Sequence, residues 1–530
     1  MARGDATLAT TPPTIQARDD TPTALRRAIT ALDAAAPLLL GLAMLAYVGV
    51  IFAASKWQLD GLHMGFDPLV YEQPLWNTLH GHIAEQSALS YTTSAFGQDL
   101  FLFHFVLVPF YAVKQTTATL LFLQTVGAAG GALAVYLIAR DALPGTRLVP
   151  LLFGVLLLSY VPMQNANLYE VQPRLFAATF LLFAYWCMTR GYAVGFWVCV
   201  VLAIINRNDT ALVIAALGFY ELLTRRRAVF SWAPLLFAIV YWVLAVFVII
   251  PAFAHGAQFS YLQNYDWLGA TTGEIVKTML THPFFVARTA FGPDRWQYPV
   301  SLLFPLTFLP LLAPRPLLMA LPPFLINIFA GDHYKYQRDI FHQYSALITP
   351  WLFAAAILAV AALADGTHPL YRLIPRIKTA PQRIPAITVS AGLVLVMLAL
   401  SAFQFAYTKP DKLASWAESG GRLSQADKNR AASVDLLIPM IPRDAPLSVT
   451  SLAAARVPLR RSLYEFPGNE FYDTNLIDRA DYVLGDRRRD GATEGAALDT
   501  LKANGQWQLV KRQGDFELLR RIAPPPGRTG

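Results

Sequence analysis

Charge is scarce in this chain and cysteine almost absent. Only 15% of its 530 residues are Asp, Glu, Lys or Arg, and 55% are hydrophobic. An ordinary soluble domain carries roughly 25% charged residues, so a soluble globular enzyme is excluded, and a disordered chain more firmly still. The two cysteines, Cys187 and Cys199, sit inside apolar runs; they exclude a disulfide scaffold, offer no zinc-type spacing and read as packing residues. Also missing are an HExxH helix, a P-loop, a dinucleotide fingerprint and a GxSxG elbow, so no metal ligand set, nucleotide cradle or activated serine is legible. The net charge of +8 would suit nucleic acid, but in a membrane chain basic residues first set topology, and no nucleic-acid partner is expected.

Uncharged apolar runs are what the chain has in abundance. Ala34–Ser55 and Ala228–Phe253 are each long enough to cross a hydrocarbon core of about 30 Å, which takes roughly 20 helical residues. Further candidate spans at 116–138, 148–163, 174–189, 192–205, 209–223, 298–313, 317–330, 346–363 and 385–407 bring the number to eleven. Leu100–Val113 is apolar but short, and reads as an interfacial or re-entrant helix. On that reading the connections on the N-terminal side hold 15 Lys/Arg in about 70 residues, and the opposite connections 9 in about 130. That asymmetry is the one the positive-inside rule demands. The expectation is a polytopic α-helical protein of the cell (inner) membrane, multi-pass, N-in and C-out. Residues 1–33 are expected as a disordered cytoplasmic tail rather than a cleaved signal peptide, and 34–407 as the transmembrane domain with a long first outer loop, 56–115.

From Lys409 onward the chain carries 19 Lys/Arg and 16 Asp/Glu and no further membrane-length run. A small extracytoplasmic α/β domain over 408–523 is expected, followed by a disordered tail, 524–530. Strands are placed at Leu447–Ser451, Tyr482–Leu484, Trp507–Val510 and Phe516–Leu519, and helices around Ser424–Leu437 and Gly495–Ala503. Gln513-Gly514-Asp515 reads as a hairpin turn.

Polar and ionisable residues are costly at membrane depth, and nearly all of those that border the spans at that depth fall at their outer ends. In the first outer loop Asp67 precedes Pro68 at a helix start, with Glu72 five residues on; Asp67 is placed either to cap that helix or to act as a base just outside the bilayer. His104 opens the short apolar helix and alone reads as a packing residue. Glu170 and Arg174 are spaced to pair with each other. Arg207 offers a fixed cation for a phosphate beside Asp209, itself in position to cap the next helix. The aromatic-rich 254–297 loop contributes Arg295, and the 331–345 loop Lys335, Arg338, His342 and Tyr344. Each alone is a solvated loop residue; together they form one polar face on one leaflet. Asp67 and Glu72 are the catalytic candidates; His104, Glu170, Arg207, Asp209, Arg295, Lys335, Arg338, His342 and Tyr344 are expected to bind substrate or donor, and no metal ligand is assigned.

An outer-face active site has no nucleotide supply, so a lipid-linked donor is the natural substrate. Transfer of a sugar from a polyprenyl phosphate needs a carboxylate for the acceptor hydroxyl, cations for the leaving phosphate and a greasy groove for the chain. The run Gly65 to Gly81, Phe103-His104-Phe105, Asn167–Pro173, Asn206–Thr210 and His342–Ser345 resemble the membrane-protein family called domain of unknown function 2079. So do Ile438-Pro439, Pro442–Ala445 and Ala480–Leu484 in the C-terminal part. That family is similar to the GT-C superfamily of glycosyltransferases. The resemblance implies a GT-C-like fold, a polyprenyl-phosphate sugar, membrane lipids and an extracytoplasmic acceptor as partners, and Asp67, more weakly Glu72, as base. The chain departs from the family pattern where two Asp become Asp67 and Glu72, where Asn208 precedes Asp209, and where Arg174 follows Gln172-Pro173. The last two remove carboxylates a metal would use, so a divalent cation stays open and no cofactor is assigned. The alternative is a transporter or flippase of a lipid-linked saccharide, which would need ionisable residues and broken helices at mid-depth; Pro251, Pro305, Pro310, Pro322 and Pro323 permit breaks, but the spans are nearly charge-free. A non-catalytic scaffold is the third reading.

Overall fold

The computed structural model describes residues 23–89, 92–254, 260–368, 386–409, 411–468, 476–488 and 493–523. Most of the expected N-terminal tail, the basic stretch Arg372–Arg383 and the tail 524–530 lie outside the described residues. Among the described residues of the first half the helices are α1 (Thr23–Asp60), α2 (Asp67–Leu79), α3 (His104–Tyr111), α4 (Thr117–Ala142), α5 (Leu148–Ser159), α6 (Val161–Leu168), α7 (Arg174–Arg190), α8 (Ala193–Ile204) and α9 (Thr210–Thr224). Residues 23–33, expected as part of a disordered tail, are the first turns of α1.

Close helix packing follows from small residues on α4. A Cβ on Gly127 would lie 2.6 Å from the Phe176 ring on α7, and one on Gly131 3.1 Å from Leu157 on α5; larger side chains would hold these helices apart. The sharp turn after α7 is made by Gly191 at φ +77°, whose amide and that of Tyr192 return to the carbonyls of Met188 and Cys187. Glycine adopts this left-handed conformation without a Cβ penalty.

The expected count of eleven spans does not carry over as eleven membrane-length helices. Among the described residues four helices are long and apolar enough to cross, Arg26–Asp60, Thr117–Ala142, Trp232–Phe253 and Ala386–Thr408, or five if α5 and α6, bent by 46°, are one broken span. The helices Ala193–Ile204, Thr210–Thr224, Leu317–Ile328 and Thr349–Ala364 are shorter. The segment 298–313 is not a helix throughout: Gln297–Leu303 is followed by single turns broken at Thr307 and Phe308, both left-handed at φ +53° and +57°. Pro299, Pro305 and Pro310 remove the amide donors that a continuous helix needs.

α1 ends and α4 begins at the same end of the bundle, where Lys56, Asp60, Lys114 and Thr117 line one cavity. The intervening loop therefore returns to the side it left; α3, eight residues long, rises only about 12 Å. At the other end Arg190 pairs with Asp141 at 2.7 Å, Arg227 with Glu221 at 2.6 Å, and Asp33 accepts the Thr146 hydroxyl and the amides of Arg147 and Leu148.

The C-terminal part folds as a five-stranded sheet of β1 (Leu447–Thr450), β2 (Leu463–Phe466), β3 (Tyr482–Asp486), β4 (Trp507–Gln513) and β5 (Phe516–Arg521), in the order β2-β1-β3-β5-β4. β1 runs parallel to β2 and β3, whereas β5 pairs antiparallel with β3 and β4. Gly514 at φ +56° closes the β4–β5 hairpin. β2 has no counterpart among the expected strands. One sheet face, with Leu447, Val449, Leu463, Leu484, Phe516 and Leu518, belongs to the same hydrophobic cluster as Leu69, Val70, Leu75 and Leu107 of the first loop. Tyr464, Val483, Trp507 and Leu519 on the other face pack with Leu498 of the helix Thr493–Ala503. The sheet and the first loop are thus one packed unit seated on the end of the bundle.

Candidate functional site

Asp67 does not cap α2. Phe66 occupies the cap position, Pro68 follows in the first turn, and the Asp67 side chain makes no capping bond. The carboxylate at this helix start is instead that of Glu170, which accepts from the Gly65 amide at 2.6 Å and also interacts with the Asp67 amide. An anion is favoured there by the helix dipole and the unpaired amides of the first turn. Asp67, freed from capping, accepts a 3.1 Å hydrogen bond from Gln172 Nε2 and stays partly open to solvent.

The α6–α7 turn that delivers Glu170 and Gln172 is fixed from α4. Gln124, fully buried, donates to the carbonyls of Asn167 (3.1 Å) and Glu170 (2.8 Å) and accepts the Gln172 amide. Lys412, in the helix Asp411–Glu418, donates to the carbonyls of Leu168 (3.2 Å) and Tyr169 (2.9 Å) and lies 4.7 Å from the centre of the Tyr169 ring.

Burial raises the Asp67 carboxyl above the usual carboxylate range, with Gln172, Lys412 and Arg207 opposing and Asp99 adding to the rise. Glu170 is pushed up to about 8 by burial and by the Asp67 charge, against the pull of Lys412 and the Gly65 amide. Burial lowers the Lys412 ammonium, while Glu170 and Asp67 hold it up. Two carboxylates and one ammonium this close titrate together, and the raised carboxyl of Asp67 makes it a stronger base than a solvated carboxylate.

A second charged group adjoins this one. Arg207, between α8 and α9, pairs with Asp99 at 2.7 Å, both nearly inaccessible, and donates to the Tyr71 hydroxyl at 3.1 Å. Its Nε makes no hydrogen bond among the described residues, the Asp209 carboxylate standing 3.5 Å away. Asp209 precedes α9 but its side chain does not cap the helix; it accepts two bonds from Arg174, at 2.8 and 3.2 Å. The expected Glu170–Arg174 pair therefore does not form, because each has a partner from another element. The Arg174 guanidinium lies 5.0 Å from the centre of the Tyr344 ring, and Tyr261 donates to Asp99 at 3.3 Å.

Asp67, Glu170, Arg207, Asp209 and Tyr344 are brought into this one neighbourhood. His342 borders it, packed on Tyr169 and Tyr336 and held by Asp339 at 2.9 Å. Glu72 is not part of it: buried on another side of α2, it accepts from Tyr111 and Thr117, and burial pushes it up to about 7. His104 is wholly buried, with Nδ1 2.6 Å from the Phe101 carbonyl and Phe96 and Phe105 against the ring. Arg295 and Arg338 both turn to the exposed Asp332, at 3.4 and 2.8 Å, and Lys335 is exposed to solvent. Among the described residues no three His, Cys, Asp or Glu side chains are grouped to hold a metal ion. Asp99, Gln172 and Lys412 were not singled out from the sequence; no local spacing ties them to Asp67.

A helical bundle with membrane-length apolar helices, a cluster of buried charges at one end and a small sheet packed over that end is the architecture of a membrane protein. The chain belongs to the DUF2079 family of predicted membrane proteins, whose profile matches residues 58–519. No curated protein matches the sequence. Among solved structures it is similar to the crystal structure of ArnT from Cupriavidus metallidurans bound to undecaprenyl phosphate, with 14% identity over 91% of this chain and 98% of that one and a TM-score of 0.49. The same protein in the apo state gives 13% identity over 91% and 97% of the two chains, with a TM-score of 0.48.

Proposed function

We propose that the protein is a GT-C-type membrane glycosyltransferase. It moves a hexosyl or pentosyl group from a polyprenyl-phosphate donor to an extracytoplasmic lipid, glycan or protein acceptor. Asp67 is the base: it takes the acceptor hydroxyl proton as that oxygen bonds to the anomeric carbon and the lipid phosphate leaves. The observation that carries the reading is a partly open carboxylate, held by Gln172 and backed by Glu170, under the influence of Arg207 and Lys412. Cations at that place stabilise the phosphate charge that develops in the transition state. Arg207 Nε is a buried donor that faces the Asp209 carboxylate at 3.5 Å and makes no hydrogen bond among the described residues.

The basic-residue asymmetry supports an N-in, C-out orientation with the site on the outer face of the inner membrane. The sheet domain, packed on the first loop, then roofs the site. A flippase of a lipid-linked saccharide is favoured by the 46° bend between α5 and α6 and the break at Thr307 and Phe308. Against it, the charges of the described apolar helices lie at helix ends, none along a path through the middle.

Purified protein given polyprenyl-phosphate sugars tests the reading. Asp67→Asn is expected to lose transfer by about 100-fold or more with its thermal unfolding unchanged. Full turnover in that variant removes Asp67 as base, and saccharide-lipid flipping in vesicles without transfer favours the second reading.

A further inference from the structure

A cavity of about 330 Å³ lies away from the Asp67 centre, between the end of α1, α2, the start of α4 and residues 455–459 of the sheet domain. Its charged lining is Lys56, Asp60, Glu72, Lys114 and Arg456, and its apolar lining includes Leu59, Leu69 and Val457. The acids in it are already satisfied. Lys56 Nζ is 2.7 Å from both oxygens of Asp60, and both Glu72 oxygens are taken by Tyr111 and Thr117. Arg456 is held by Asp435, outside the lining, through two 2.7 Å bonds. Lys114 is exposed and makes no ion pair among the described residues. With Lys56 and Arg456 each paired to an aspartate, Lys114 is the lining cation left uncompensated among the described residues.

Its depth matters as much as its charge. α1 and α4 are both of membrane length, and the cavity lies where their apolar runs stop, at the level of the lipid headgroups. Basic side chains there, above apolar walls, match a phosphate carried at the end of a hydrocarbon body. With a water occupying about 30 Å³ of liquid, the cavity also has room for a phosphate and atoms attached to it.

We propose that this cavity is a phosphate-binding site, with Lys114 and Arg456 as its cationic contacts, taking the phosphate of an anionic lipid headgroup or a free phosphate. The proposal stands on this cavity alone and does not depend on the transferase reading.

Native mass spectrometry of the full-length protein, with dioleoyl phosphatidylglycerol, dioleoylglycerol or inorganic phosphate added, separates the two sources. Wild type is expected to retain one phosphatidylglycerol about tenfold better than diacylglycerol. Lys114→Glu should lose that preference by a similar factor, Lys114→Arg should keep it, and Lys428→Glu on the exposed helix Gln425–Leu437 should leave it intact. Lysine-dependent binding of inorganic phosphate without lipid retention would make the free anion the ligand of the same site. Equal retention by wild type and Lys114→Glu with both probes, or equal retention of diacylglycerol and phosphatidylglycerol with no lysine-dependent binding of inorganic phosphate, overturns the proposal. Because Lys114 is exposed, its substitution tests binding without threatening the fold.

Discussion

Gln172 donates a hydrogen bond to Asp67 across 105 residues of sequence, and the amide of Gln172 is itself held by Gln124 in the first third of the membrane-length helix α4. The acid in the first loop is thus oriented by a chain of amide bonds that begins inside the bundle. With Glu170 at the start of α2 and Lys412 on the carbonyls of the same turn, three segments meet at one carboxylate.

That convergence predicts opposite pH shifts. A basic Asp67 must be ionised, and burial raises its carboxyl above the usual carboxylate range, so transfer should rise with pH as that group gives up its proton. Glu170→Gln removes a competing negative charge and should move the rising limb to lower pH. Lys412→Met removes a cation and should move it to higher pH. A pH–rate profile that stays fixed in both variants would mean that the two residues only support the fold.

The Arg207–Asp99 pair should be a large stability element when broken and a small one when replaced. Both side chains are buried at 2.7 Å separation, so Arg207→Ala leaves an uncompensated carboxylate and should cost about 3–5 kcal/mol. Exchanging both for apolar residues of similar size, Arg207→Met with Asp99→Leu, should cost less than the sum of the singles. Thermal unfolding of the four proteins closes the cycle, and simple additivity would deny the pairing.

Glu72 predicts a pH-dependent stability distinct from the catalytic profile. Its carboxyl is raised from 4.5 to about 7, so between those pH values the folded protein holds a proton that the unfolded chain releases. Stability therefore falls as pH rises through that window, by about 3 kcal/mol for this group. Glu72→Gln should flatten the slope in unfolding measured at several pH values; an unchanged slope would locate the titration elsewhere.

Much of the fold is legible because local chemistry repeats it. Apolar runs mark the long helices, short β-rich runs mark four of the five strands, and Gly514 marks the hairpin. β2 escapes because its four residues, Leu463-Tyr464-Glu465-Phe466, are too few to show a period and are recognised only by pairing with β1. The segment 298–313 is apolar enough for a span, but composition does not report the left-handed residues at Thr307 and Phe308.

The amino-acid sequence by itself determined that this protein belongs in a membrane, that its ionisable side chains collect at helix ends, and that a water-exposed sheet follows the last long helix, because hydropathy and period are local quantities. Only the tertiary structure decided which charges meet. Five residues along a helix turn the chain about 140°, enough to send Glu72 away from Asp67 into the separate cavity. The partners of Asp67 and Arg207 come instead from Asp99, Gln172 and Lys412, whose proximity depends on how distant segments pack and leaves no spacing to read.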